Sequence, residues 1–177
     1  IIRNIQAEAR NARYEILINY CKKNKSKFLI TAHNLEDQVE TFFIRLSRGS
    51  GLKGLSAMKT LTKIKSQVSL YRPFLDVKKK FLTKISKYAF GEYFKDPSNT
   101  DMKYLRTKVR NLKKPLEKSG IKYEQIFKSI QNLSMSKNTL DQYLNKIFKE
   151  LIKRVNSEIV INFTKFRHLN DDTKMAL

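Results

Sequence analysis

The chain has 177 residues, 41% hydrophobic and 30% charged, and its 37 Lys+Arg against 16 Asp+Glu give a net charge of +21. That length suits one domain, or one and part of another, and eleven Phe and eight Tyr are enough apolar mass for a core, which excludes wholesale disorder. The charge points to a polyanionic partner, nucleic acid or an anionic surface. Phe28-Leu29-Ile30 and Ile159-Val160-Ile161, the longest apolar runs, fall far short of the roughly 20 residues that cross a bilayer as a helix. Cys21, the one cysteine, excludes an internal disulfide and any CxxC site, and Arg3, Glu8, Arg10, Arg13 and Glu15 interrupt any apolar leader. The expected compartment is a reducing cytoplasm, with no membrane partner.

Residues 4–23 read as an amphipathic helix with Ile5, Ala9, Ala12, Ile16, Leu17 and Tyr20 as its apolar face. Phe28 to Ala32 is a short continuous apolar run, the pattern of a strand buried on both faces of a parallel sheet. Residues 35–47 return to helix, with Val39, Phe42, Phe43 and Leu46 on the buried side. Helix, strand and helix in this order form a fragment of a doubly wound α/β sheet. A strand over 67–72 ends at Arg72-Pro73, and Asp76 is placed to cap a helix carrying Val77, Phe81, Leu82, Ile85 and Ala89. Asp96 to Asn99 reads as a turn, followed by a basic helix through Tyr104, Leu105 and Val109. Pro115 and Gly120 suggest a domain boundary, with 1–115 as the sheet domain and 116–177 as the start of a mainly helical one. Beyond it, helices are expected over 123–133 and 140–155, with Ile126, Ile130, Leu133, Leu140, Leu144, Ile147 and Leu151 as the core stripe, and a strand over 159–163.

The stretch from Thr31 to Gly54 carries the chemistry. His33 falls just past the carboxyl end of the buried strand, where open α/β sheets bind ligands. Asp37 and Glu40, three apart, share a helix face with Thr41 and Ile44. One imidazole and two carboxylates at such a rim can hold Mg²⁺, grip an ammonium group or move a proton. They also suit a capped helix start, where acids are favoured. Arg48-Gly49-Ser50-Gly51 can converge backbone amides on an anion, or simply end a helix.

Six ordered segments resemble the motifs of tRNA(Ile)-lysidine synthases, which are PP-loop enzymes. Ala9 to Tyr14 is similar to their ARxxRY, Thr31 to Thr41 to AHHxDDQxET, and Arg48 to Leu55, with Met58 following, to RGSGxxGL. Arg72 to Leu75 resembles RPLL, with Lys79 near the usual basic position; Asp96 to Asp101 resembles DxSNxD and Arg106 to Arg110 resembles RNxxR. Asn34, Glu36 and Thr107 depart from the family pattern, and its SGGxDS phosphate loop is not found in this sequence.

The resemblance implies the carboxyl-terminal part of a doubly wound, adenine nucleotide alpha hydrolase-like sheet domain, followed by part of a helical domain. The expected chain is a fragment without the ATP phosphate loop and inactive by itself. The reaction implied is ATP-dependent ligation of L-lysine to the wobble cytidine of the CAU anticodon of an isoleucine tRNA. ATP adenylates the cytosine O2, and the lysine ε-amine then attacks C2. His33, Asp37 and Glu40 are the implied catalytic residues, with Asp37 the candidate magnesium ligand. Arg10, Arg13, Arg48, Gly49, Ser50 and Gly51 are the implied substrate or ATP contacts, with Arg10 and Arg13 equally able to salt-bridge the carboxylates. Lys103, Arg106, Lys108, Arg110, Lys113 and Lys114 form a basic run that suits a tRNA backbone, with Tyr104 and Tyr123 available for stacking. A homodimer is one assembly this leaves open. Two other readings remain: a tRNA thiolation enzyme, for which Cys21 alone cannot supply paired cysteines or a cluster, and a non-catalytic tRNA-binding remnant.

Overall fold

The computed structural model describes residues 5–65, 68–92, 101–155 and 158–177. Helix α1 (Ile5–Lys23) leads into β1 (Phe28–Ile30), then α2 (Leu35–Leu46), the short α3 (Leu52–Leu55), the pair β2 (Leu61–Lys65) and β3 (Val68–Tyr71), and α4 (Lys79–Phe90). After residues outside the described set come α5 (Leu105–Asn111), α6 (Lys113–Lys118), the long α7 (Tyr123–Leu151), the hairpin β4 (Ile152–Val155) and β5 (Glu158–Ile161), and α8 (Phe163–Arg167) and α9 (Asp171–Ala176). The Asp96–Asn99 turn falls outside the described residues.

The main sheet has the order β1-β3-β2, with β1 parallel to β3 and β2 antiparallel to it. Strand β2, absent from the expected elements, is exposed from Leu61 to Lys63 and is covered at Ile64, which packs beside Ile18, Cys21 and Val68. β1 is expected to be buried on both faces, yet only the face of Leu29 packs into a core, while Phe28 and Ile30 share the opposite face and are exposed among the described residues. The face of α1 is also corrected. Ile18 and Cys21 are the buried residues, packed with Val68, Leu29, Ile64 and Tyr14, whereas Ile16 and Tyr20 lie open. Apolar residues occur around most of this helix, so its contact with the sheet, rather than its periodicity, selects the inner face.

The second core joins α2 to α7: Leu35, Val39 and Ala57 pack against Tyr123, Ile126 and Ile130, with Phe42, Phe43, Leu116 and Phe127 alongside. Val39 is fully enclosed, as expected, while Leu46 at the helix end is exposed. Residues 123–151 form one 29-residue helix rather than two, because Ser134 to Thr139 continues the turn despite its polarity. The helix expected to reach Val155 stops at Leu151, and Ile152 starts the β4–β5 hairpin. Asp76 does not cap α4: Lys78 takes that position without a side-chain cap, and Glu36 of α2 accepts from the Lys79 N–H at 2.8 Å instead.

Candidate active site

The acids of α2 are placed by a start that is fixed twice. Asn34 Oδ1 accepts from the Asp37 N–H and Asp37 Oδ2 accepts from the Asn34 N–H, both at 3.1 Å, a reciprocal capping box. The neighbouring Leu35 N–H donates to Val77 O at 3.0 Å, which ties the helix start to the loop before α4. Held this way, Asp37 turns its other oxygen, Oδ1, to Arg106 Nη2 at 3.1 Å. One turn on, the Glu40 side chain is 3% exposed and accepts from two arginines of α5. Arg106 Nε donates to its Oε2 at 2.8 Å, Arg110 Nε to its Oε1 at 2.7 Å, and Arg110 Nη2 to its Oε2 at 3.1 Å. The spacing explains the fit: acids three apart on one helix meet arginines four apart on another. A buried carboxylate is costly unless paired, and the hydrogen bond to Glu40 in turn raises the Arg110 pKa above its ordinary value.

His33 stands at the end of β1 beside this network. Its Nδ1 lies 2.9 Å from Thr31 Oγ1. Burial holds its pKa below 6.5; Asp37 opposes this, while Arg72, Arg106 and Arg10 add to the lowering. The imidazole is therefore neutral at pH 7 and able to accept a proton. Glu36 faces elsewhere, with Lys113 Nζ at 3.4 Å and the Lys79 N–H on its two oxygens, so it stitches α2 to α4 and α6.

Several expectations are redrawn by this geometry. Arg106 and Arg110, expected on a tRNA backbone, turn inward as the partners of Asp37 and Glu40. Arg10 and Arg13 do not salt-bridge those acids; both are exposed on α1, and the Arg10 guanidinium lies 5.0 Å from the Tyr14 ring centroid. Asp37, the candidate magnesium ligand, has Oδ2 in the cap and Oδ1 on Arg106, and no group of three His, Cys, Asp or Glu stands together among the described residues. Arg48 and Gly49 are exposed and Ser50 is half-buried in a loop that begins about 14 Å along the α2 axis from Asp37. That loop is organised locally: Gly49 has φ +67°, Gly51 precedes α3, and Arg45 Nη1 ties Gly54 O and Ala57 O at 2.8 and 2.9 Å. Lys113 sits 5.1 Å over the Tyr123 ring, and Lys103, Lys108 and Lys114 are exposed. Sequence reasoning missed Arg72 as a neighbour of His33; its position directly after a strand was the available signal. Arg72, Arg106 and Arg10 all lie close enough to His33 to lower its pKa.

Residues 2–116 match the PP-loop domain family. The tRNA(Ile)-lysidine synthase of Wolbachia pipientis wMel is 34% identical over 175 residues, which is 98% of this chain and 40% of that protein. That of Orientia tsutsugamushi (strain Boryong) is 45% identical over 113 residues, 64% of this chain and 25% of the relative. The chain thus spans well under half the length of these curated relatives. Among solved structures, the U34-tRNA thiolase NcsA from Methanococcus maripaludis is similar in fold, with a TM-score of 0.58 at 21% identity over 75% of this chain and 45% of that one. No helix among the described residues is long and apolar enough to cross a membrane.

Proposed function

Because the chain belongs to the PP-loop domain family, we propose that it forms part of a tRNA(Ile)-lysidine synthase joining free L-lysine to the wobble cytidine of a CAU anticodon. The observation that carries this reading is the geometry of His33 at the carboxyl end of a parallel strand, followed by two arginine-paired carboxylates on α2. The names of the relatives support the same substrate class.

The two acids divide the work. Glu40 is sealed under both guanidiniums and anchors the site. Asp37 is the more open acid, with 19% of its side chain exposed next to an Arg106 that is 38% exposed. An incoming ammonium group competes with Arg106 for Asp37 Oδ1 and is held there by charge. Neutral His33 takes the proton that the amine must lose before it attacks C2. ATP, when bound, would adenylate the cytosine O2 with loss of pyrophosphate, so that the C2–O2 bond breaks and AMP leaves from C2 as the amine nitrogen bonds there. Arg10 and Arg72, which line one cavity, would hold the phosphate of ATP. Residues 1–115 carry this chemistry and residues 116–177 begin the helical part. Exposed Lys103, Lys108 and Lys114 contact the tRNA backbone, which fixes position without reading sequence.

The test is a chimaera in which this chain replaces the matching 175-residue region of the Wolbachia pipientis wMel relative, assayed by incorporation of labelled lysine into tRNA. The chimaera is expected to incorporate lysine. Asp37→Asn is expected to lower the rate by about 100-fold or more, as loss of a group that binds at the reacting centre does, and Glu36→Gln by much less. A folded chimaera without incorporation, or equal losses in the two variants, would overturn the reading.

A further inference from the structure

Among the described residues, helix α4 carries a strip of large apolar side chains that lies open to solvent. Lys79–Phe90 runs for 12 residues, and none of them is buried. The helix is held at its start, where Glu36 Oε2 accepts from the Lys79 N–H at 2.8 Å and Lys78, just before it, pairs with Glu124 of α7. Beyond that turn Phe81, Ile85 and Tyr88 are 52%, 62% and 95% exposed. Spaced four and three apart, they fall within an arc of roughly 60°. Single apolar residues scattered on a surface are ordinary, whereas an aligned strip of large ones marks a place of contact.

The charge of α4 indicates what it meets. The helix holds Lys79, Lys80, Lys84 and Lys87 and no acid. Lys84, Lys80 and Lys87 lie roughly 60–120° round the helix from Phe81, so a cationic flank runs along the apolar strip. Lys80 Nζ lies 5.1 Å from the Phe81 ring centroid, which sets charge and apolar surface side by side. Aromatic and aliphatic groups with lysines beside them are the pattern of a helix that lies in a membrane interface, its lysine heads among the headgroups. Exposed Ile16 and Tyr20 of α1 lack this pattern, because that helix also carries Glu8 and Glu15. A second copy of the chain fits α4 poorly, since two acid-free lysine helices and two net charges of +21 would meet. An RNA backbone would engage the lysines and leave Phe81 and Ile85 in water. The short apolar runs of the chain bear on crossing a bilayer, which takes roughly 20 residues, and not on lying along one.

We propose that α4 docks this chain on an anionic lipid surface, with Phe81, Ile85 and Tyr88 in the boundary between headgroups and acyl chains and Lys80 and Lys84 on the anionic headgroups. The proposal does not rest on the lysine-ligase reading.

The test uses the full 177-residue chain, which has no tryptophan, so that Tyr88→Trp supplies a single indole reporter. Vesicles are phosphatidylcholine alone or phosphatidylcholine with about 30% phosphatidylglycerol, and binding is read by co-sedimentation and by indole emission. The anionic vesicles are expected to bind at least about tenfold more tightly than the neutral ones and to shift the emission of the Tyr88→Trp chain to the blue. Phe81→Ser with Ile85→Ser, both at exposed positions, is expected to weaken that binding by about tenfold or more with an unchanged unfolding midpoint. Lys80→Gln with Lys84→Gln is expected to weaken it more than Lys146→Gln with Lys149→Gln, which removes the same charge from exposed positions of α7. Binding without a blue shift, or equal effects of the two lysine pairs, would show adhesion by net charge only and would overturn the proposal. An equal blue shift with single-stranded RNA would give the face to RNA, and one on concentrating the chain without vesicles would give it to a second copy; either overturns the proposal, as does an absence of binding to the anionic vesicles.

Discussion

The arginines of α5 and the arginine after β3 solve opposite problems. Arg106 and Arg110 meet two carboxylates of α2, and their donors fix the place of Asp37 and Glu40 to within hydrogen-bond geometry. Arg72 is more deeply buried yet has only a carbonyl and a hydroxyl. Where the chain supplies the anion, the guanidinium is part of a rigid frame. Where it does not, the guanidinium is left for something outside the chain to complete, and it also depresses the nearby His33.

That contrast is most easily broken by removing charge on each side. Glu40→Gln leaves two guanidiniums facing a neutral amide and is expected to lower the unfolding free energy by about 2 kcal/mol, the cost of a broken buried pair reduced because both arginines are about one-third exposed. Arg72→Gln loses two hydrogen bonds but also an uncompensated charge, so its expected cost is under about 1 kcal/mol. Urea unfolding of the two variants checks this, and equal losses would remove the distinction between the regions. Asn34→Ala sharpens the paired side. Loss of the capping box is expected to cost about 1 kcal/mol in the same measurement.

The smallest effect is in pH dependence. The folded His33 pKa lies below its unfolded value of 6.5, so above 6.5 the group is neutral in both states and the native state keeps its full advantage. As pH falls below 6.5, the unfolded chain binds the proton first and stability declines. Thermal unfolding of His33→Gln between pH 5 and 7 is therefore expected to show a shallower acid-side decline than the unmodified chain. An unchanged profile would show that His33 is not depressed.

Much of the paired region could be read before the fold was known. The face shared by Asp37 and Glu40 follows from helical periodicity, while the Asn34–Asp37 capping box that starts α2 appears only in the structure. The partners of that face were legible only in part. Arg106 and Arg110 are four apart on α5, but a basic run reads as a surface for polyanions until a distant acid pair is known to face it. Arg72 was not legible, since nothing local shows that an arginine after a strand will be enclosed without a counter-charge. The same reason explains α1, where Ile18 and Cys21 rather than Ile16 and Tyr20 are covered, and the unbroken α7, whose polar middle is carried by contacts at Ile126, Ile130 and Leu151. In each case tertiary contact decided between faces that local pattern left nearly equal.

The most direct measurement is an NMR titration of the His33 imidazole, distinguished from His168 by comparison with His33→Gln. The expected result is a pKa below 6.5 in the unmodified chain, moving further down in Asp37→Asn, where the opposing carboxylate is gone, and up in Arg72→Gln, where a repelling guanidinium is gone. A His33 that titrates above 6.5, or that ignores both substitutions, would contradict a neutral base set between an arginine-paired acid and an unpaired cation.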